Sequence, residues 1–370
     1  MCYEGPVPLR MPFVFTERHR LHEPGGEVWV GVRTPGTELP ERAERIRREL
    51  TDAGAPEVEP RPHQDDDVLG AHDPALVSWL RSAWDEWAAA GLTTDPGQDR
   101  VVPYVFPHPG FAEAPAVPAA AISARAGQFA YDTMTLIGPG TWEAARGAVD
   151  VAATAAELVL EGDGRAYACC RPPGHHATRT AFGGSCYLNN AAVAALRLRD
   201  GGVGRVAVID VDAHHGNGTQ SIFYERDDVL TGSVHVDPGA GWFPHFLGFE
   251  GETGAGPGAG ANRNLALAPG SGDAEWLAAV EELARWAEAG GAEAIVIALG
   301  VDAAGGDPES PLAVTDAGFR AAGTTLGALG LSAVVIQEGG YDLEAIGPLV
   351  RVALEGLEAQ GPGKGQSRTR

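Results

Sequence analysis

The chain has 370 residues, 27 basic against 50 acidic, for a net charge of −23. Such an acidic excess opposes unaided binding to the phosphate backbone, so no nucleic-acid partner is expected. Cys2, Cys169, Cys170 and Cys186 form no CxxC pair and no disulfide-like spacing. The opening MCYEGPVPLRMPFVF lacks an apolar signal region, and nowhere do about 18 apolar residues run together. These features read as a soluble, cytoplasmic protein with no membrane partner.

In chain order, a proline-rich stretch at 92–118 follows helix-forming sequence and reads as a long insertion within one domain rather than a linker. Apolar residues recurring three and four apart predict helices over 141–160, 188–199, 273–289 and 315–329, with Asp273 and Thr315 as N-caps. Between them, β-branched runs predict strands at 206–210, 295–299 and 333–337. Strands alternating with amphipathic helices imply an α/β protein whose parallel sheet is covered on both faces. The polar, basic end GPGKGQSRTR at 361–370 reads as a disordered tail. No internal repeat is visible.

Each predicted strand runs into polar residues or glycine: Asp210 and Asp212, then Gly300 and Asp302, then EGGYDL at 338–343. Ligand sites of open α/β sheets gather at the carboxyl ends of strands, so these distant segments can converge. In IDVDAHHGNGT at 209–219, Asp210, Asp212 and His214 alternate and can share one side of an extended segment. Asp212, His214 and Asp302 together offer two carboxylates and an imidazole, leaving a coordination position open as catalytic zinc sites do. Helix caps and turn residues are the competing reading for that pattern taken alone. Two other segments favour the metal: His175 and His176 lie on a loop stiffened by proline and glycine, and the glycines of EGGYDL present Tyr341. The glycine-rich run at 251–262 lacks the Gly-Lys-Ser/Thr ending of a phosphate loop. His235 and His245 read as structural.

RPPGHH, DVDAHHGNGT, SVHVDP, LGVD and EGGY stand in the order and spacing of the histone deacetylase superfamily, which the chain resembles over residues 13–353. WFPHFLGFEGETGAG, PGTWEAA and AWDEWAAAG resemble its acetylpolyamine amidohydrolase branch. The resemblance implies an arginase/deacetylase fold: a single α/β domain over 1–360 with a central eight-stranded, mainly parallel sheet flanked by helices. It implies one zinc ion on Asp212, His214 and Asp302, His176 as proton-transfer base with Asn217 behind it, His175 as its electrostatic partner held by Asp210, and Tyr341 as oxyanion donor. It further implies structural potassium on Asp210, Asp212, His214 and Ser233, a second potassium on carbonyls near Phe223, Arg226 and Val229, and a homodimer formed through 92–118.

The expected reaction is hydrolysis of an N-acyl, chiefly acetyl, amide of a small primary amine: an acetylpolyamine, acetyl-lysine or related metabolite. Two positions depart from the family. The substrate tunnel, lined by Gly184 and by Phe243 or its neighbour Trp242, usually has a second aromatic wall, but Ser185 stands there. Either the channel is wider and takes a bulkier acylated metabolite, or another loop residue fills the space. Ser123 stands where polyamine-selective relatives carry glutamate, and Arg125 nearby would oppose a polycation unless Asp95, Asp99 or Glu113 compensates. A binding protein without turnover is the non-enzymatic alternative. The retained His176 and Tyr341 argue against it.

Overall fold

A computed structural model describes residues 8–108 and 119–361 of the chain. Residues 109–118, with Glu113, lie outside it, as do Cys2 and the tail from 362 onward.

Strands β1 (Phe13–Val14), β4 (Glu57–Val58), β5 (Arg165–Ala168), β6 (Val206–Asp210), β7 (Val229–Val236), β8 (Asn262–Leu267), β9 (Ala294–Leu299) and β10 (Ser332–Gln337) make one sheet, in the order β4-β1-β5-β10-β9-β6-β7-β8. Every pairing in it is parallel. A small antiparallel hairpin, β2 (Glu27–Trp29) with β3 (Val32–Thr34), stands apart. The sequence VAVID of β6 and AIVIAL of β9 is buried throughout, as strands covered on both faces must be.

Successive residues of a strand face opposite layers. On one side Ala166, Val208, Val296 and Val334 join a core with α2 (Asp65–Ala71), α3 (Pro74–Ala89), α5 (Thr141–Leu158) and α6 (Asn190–Asp200). On the other, Tyr167, Ile209, Ile297 and Val335 pack with α1 (Glu41–Asp52), α8 (Asp273–Ala289), α9 (Asp316–Gly327) and α10 (Ile346–Glu358). Two shorter helices, α4 (Ile122–Phe129) and α7 (Asn217–Phe223), complete the layers.

The predicted strands lie within one residue of those observed, whereas helix ends differ for local reasons. Helix α6 starts at Asn190 because the Asn189 side chain accepts from Ala192 N at 2.8 Å, a cap that excludes Leu188. Thr315 caps α9 as expected. Asp273 does not cap α8: Gly272 takes that position, and the Asp273 carboxylate instead accepts from Thr315 N and Oγ1, each at 2.7 Å. The described part of the insertion is tied down, with Trp87 Nε1 donating to Gln98 O at 2.8 Å and Val101 bridging Ile137.

His72, just past α2, ties this layer to the loop after β5. Asn189 N donates to its Nε2 at 2.8 Å, so the ring proton sits on Nδ1 and is donated to Thr178 O at 2.9 Å. Burial lowers its pKa from 6.5 to about 4. The unfolded chain therefore binds the extra proton first. His72 should cost stability as pH falls from 6.5 to about 4, by no more than about 1.4 kcal/mol per pH unit. Urea midpoints across that interval should show a shallower slope in His72→Gln; an unchanged slope would remove His72 as a contributor.

Candidate active site

The sheet order places β5, β10, β9 and β6 side by side. Their carboxyl ends deliver, in turn, His175–His176, Glu338–Tyr341, Asp302 and Asp210–His214 to one place. Asp212 and Asp302 are fully buried, and the donor atoms of Asp212, His214 and Asp302 all lie within 4.8 Å of one another. His214 Nε2 donates to Glu309 O at 3.1 Å, which leaves the lone pair of Nδ1 facing Asp212 Oδ1 at 3.3 Å and Asp302 Oδ2 at 3.1 Å. Two carboxylates and an imidazole nitrogen so close together favour a positive charge between them, whether a proton on His214 or a metal ion. Oxygen, oxygen and imidazole nitrogen are a donor set that zinc accepts.

The backbone supports this convergence. His214 N donates to Asp212 Oδ1 at 2.8 Å, Ala213 N to Asp302 Oδ1 at 2.9 Å and Gly339 N to Asp212 Oδ2 at 2.7 Å. Gly339 has to lack a side chain, because a Cβ would lie 2.2 Å from Asp302 Oδ2 and 2.6 Å from Asp212 Oδ2. Burial, and then the Asp212 charge, raises the Asp302 carboxyl to about 7. Burial works in the same direction on Asp212, but His175 and His214 hold its carboxyl below the usual range.

The two histidines of the β5 loop have different surroundings. His175 is buried, which disfavours its charge, yet Asp212 and Asp210 raise its pKa to about 10; its Nδ1 donates to Asp210 Oδ2 at 2.9 Å. His176 donates from Nδ1 to the amide oxygen of Asn217 at 2.7 Å, leaving Nε2 free to accept. Burial and the neighbouring His175 and His214 keep it neutral, with a pKa well below 6.5. Tyr341 lies beneath the guanidinium of Arg42, 4.6 Å from its ring centre, and its backbone N donates to Asp307 Oδ2 at 2.7 Å. Burial raises its phenol well above 10, and its charged state would face Asp302 and Asp212. It is held as a proton donor.

Residues 37–357 match the histone deacetylase domain. The chain belongs to the histone deacetylase family. Over 348 residues it is 41% identical to the acetylpolyamine amidohydrolase of Mycoplana ramosa, covering 94% of this chain and 99% of the relative. It is 39% identical to acetylpolyamine amidohydrolase 1 of Pseudomonas aeruginosa over 346 residues, 93% of this chain and 98% of that one. A crystal structure of the acetylpolyamine aminohydrolase of Burkholderia pseudomallei superposes with a TM-score of 0.88 at 37% identity, covering 95% of this chain and 99% of that one. The arginase/deacetylase fold and the likeness to the acetylpolyamine amidohydrolase branch follow.

In this deacetylase-family chain, Phe243 rather than Trp242 reaches the histidine pair: its ring meets His176 edge-on at 4.8 Å, while Trp242 packs on the core layer of α8 to α10. Gly184 lies against both, since a Cβ there would meet His176 Cδ2 at 2.4 Å and Phe243 Cε1 at 3.0 Å. Arg125 is occupied by an ion pair with Glu86 at 2.5 Å, and Asp99 by one with Arg33 at 2.5 Å. A cavity of about 540 Å³ adjoins the site, lined in part by Trp29, Phe106, Tyr131, Asn217, Phe243 and Phe246. His235 is structural: its Nε2 donates to Gly248 O at 2.8 Å.

Sequence reasoning missed several residues around this centre. Glu38 and Arg42 hold the EGGY turn, and Arg171 was read only as part of RPPGHH. Arg42 donates from Nε to Gly340 O and from Nη2 to Glu338 O, each at 2.6 Å, and from Nη1 to Glu38 at 2.8 Å. Arg171 Nε meets the same Glu38 oxygen at 2.8 Å. Tyr131 was also missed; its hydroxyl donates to His176 O at 2.9 Å and is hydrogen-bonded by Asn217. Arg42 lies on α1, a helix the sequence reading did not predict, and a buried arginine carries no local signature; Tyr131, in AYDTMT ahead of PGTW, belongs to no motif either.

Gly339→Ala should lower zinc affinity by about 10- to 100-fold, the usual cost of disturbing groups that orient metal ligands. Competition against a chelator measures it, and undiminished affinity would show that the close approach at Gly339 does not govern the ligands.

Proposed function

We propose that the protein hydrolyses the N-acetyl amide of a primary amine, with acetylpolyamines the first substrates to test because its relatives bear that name. The carrying observation is that three cation-seeking donors, Asp212, His214 and Asp302, converge beside a neutral His176 whose Nε2 is free. Zinc bound there would supply Lewis-acid chemistry, polarising the amide carbonyl and making water acidic enough to react at neutral pH.

The chain's own groups do the rest. His176 takes the proton of the attacking water at Nε2 and returns it to the departing amine nitrogen. Asn217, a neutral partner, orients that ring without the extra basicity a carboxylate would add. His175, held by Asp210, contributes positive charge beside the reacting centre. Tyr341 donates its hydroxyl to the oxygen on which negative charge develops, where a fixed donor is most effective. Acetate and the free amine leave.

Potassium at Asp210, Asp212, His214 and Ser233 belongs to the same proposal. Asp210 is paired in register with Ser233. Because His235 donates from Nε2 to Gly248 O, its Nδ1 accepts from Ser233 Oγ at 2.8 Å, leaving the hydroxyl lone pairs available to a cation. Self-association through 92–118 is included as well, supported by Tyr104 at 75% exposure and Phe106 at 37%. Light scattering should return twice the chain mass, and a monomer that hydrolyses substrate would remove this element alone.

Tyr341→Phe should keep zinc and lose about 10²–10³ in kcat, the cost of removing one oxyanion donor. Asp302→Ala should lose the metal itself, read by elemental analysis. Full activity in the first variant, or stoichiometric zinc in the second, would contradict the assigned roles.

A further inference from the structure

Ser185 leaves one side of the channel without the aromatic side chain usual in the family. The chain brings another residue to that side. Tyr131 follows α4 and is anchored at both ends: its backbone N donates to Phe182 O at 3.1 Å, and its hydroxyl donates to His176 O at 2.9 Å. Its ring lies flat on Gly183, where a Cβ would meet Tyr131 Cε2 at 2.3 Å and Cζ at 2.4 Å. Any side chain at 183 would expel it.

From there the ring faces Phe243, with centroids 6.3 Å apart and planes inclined by 21°. Both line the same cavity beside the catalytic histidines. Ser185 itself is turned aside: it adopts φ 61°, and its N is held by Thr135 Oγ1 at 2.9 Å.

We propose that Tyr131 is the second aromatic surface of the substrate channel, replacing the wall absent at Ser185, and that it makes the protein select acyl amines with a linear, unbranched segment next to the amide. This rests on the deacetylase reading of the site. Carbon contacts of about 3.5–4.0 Å on each face mean that a methylene chain needs roughly 7–8 Å between two rings. The centroids lie 6.3 Å apart, so a chain that passes between the rings has to part them. A substituent beside the amide nitrogen would demand a wider opening still. The wide, polar channel that Ser185 alone suggests is therefore not the one this fold builds.

The test compares two hydroxamates on the zinc-loaded protein by calorimetry: acetohydroxamate, too short to reach the rings, and one carrying a linear alkyl chain that passes between them. Tyr131→Ala should weaken the long ligand by about tenfold and leave the short one unchanged, because only the long one loses an aromatic contact. Tyr131→Phe should bind both as the wild type does, and Ser185→Tyr added to Tyr131→Ala should recover the long ligand. Equal weakening of both ligands, no weakening of either, or a loss in Tyr131→Phe matching that in Tyr131→Ala would overturn the proposal. Kinetics should follow, with KM for linear N-acetyl amines rising in Tyr131→Ala and staying at the wild-type value in Tyr131→Phe. If the wild type turns over no acyl amine, the proposed function falls, and the hydroxamate comparison still decides the role of Tyr131.

Discussion

A buried carboxylate shared between two buried arginines holds the catalytic loops in place. Glu38 meets Arg42 and Arg171 through one oxygen, and the two guanidiniums spread their remaining donors over main-chain carbonyls of separate segments: Glu338 and Gly340 on one side, His19 and His22 on the other. Arg171 opens the loop that carries His175 and His176. Arg42 grips the turn that presents Tyr341. Breaking a buried charged pair typically costs about 3–5 kcal/mol, because the surviving charge is left in a poor solvent. Here two cations depend on one anion, so the loop of His175 and His176 and the turn of Tyr341 share a single support.

The second constraint is electrostatic. Two fully buried carboxylates lie beside one imidazole, and burial together with mutual repulsion raises Asp302 to about 7. Main-chain N–H groups of His214, Ala213 and Gly339 orient the oxygens without neutralising them. Glycine at 339 allows the loop to come close enough to donate one of these bonds. Burial and the neighbouring His175 and His214, acting against the pull of Asp212, keep His176 uncharged. A neutral imidazole can accept a proton; a charged one cannot.

Much of this was legible in the sequence where chemistry restricts both residue type and spacing. The strands ahead of Asp210, Asp302 and Glu338 are short apolar runs, and their polar ends mark where the sheet stops. Alternation in DVDAH places its side chains without further information. Helix starts were less legible, because Asn189 outcompetes Leu188 as a cap and Asp273 spends its carboxylate on Thr315. The Glu38 clamp was invisible, since its partners are scattered: Arg42 is a neighbour in sequence, but the carbonyls it holds lie nearly 300 residues away, 298 for Gly340 and 296 for Glu338. The Tyr131 contact was equally hidden. Nothing in AYDT tells that its tyrosine lies against Gly183, where a Cβ would meet it at 2.3 Å.

The position of β10 has a consequence for the order in which the molecule is made. It is the last strand among the described residues, yet it sits in the middle of the sheet, between β5 and β9. Without it, the sheet's pairings leave β4, β1 and β5 in one set, with His175 and His176 beyond β5, and β9, β6, β7 and β8 in another, with Asp212, His214 and Asp302. No strand pairing joins them. The paired histidines and the Asp212, His214 and Asp302 cluster therefore belong to separate half-sheets, and one short strand unites them and brings Gly339 N against Asp212. The site is complete only once that late-made strand is in place.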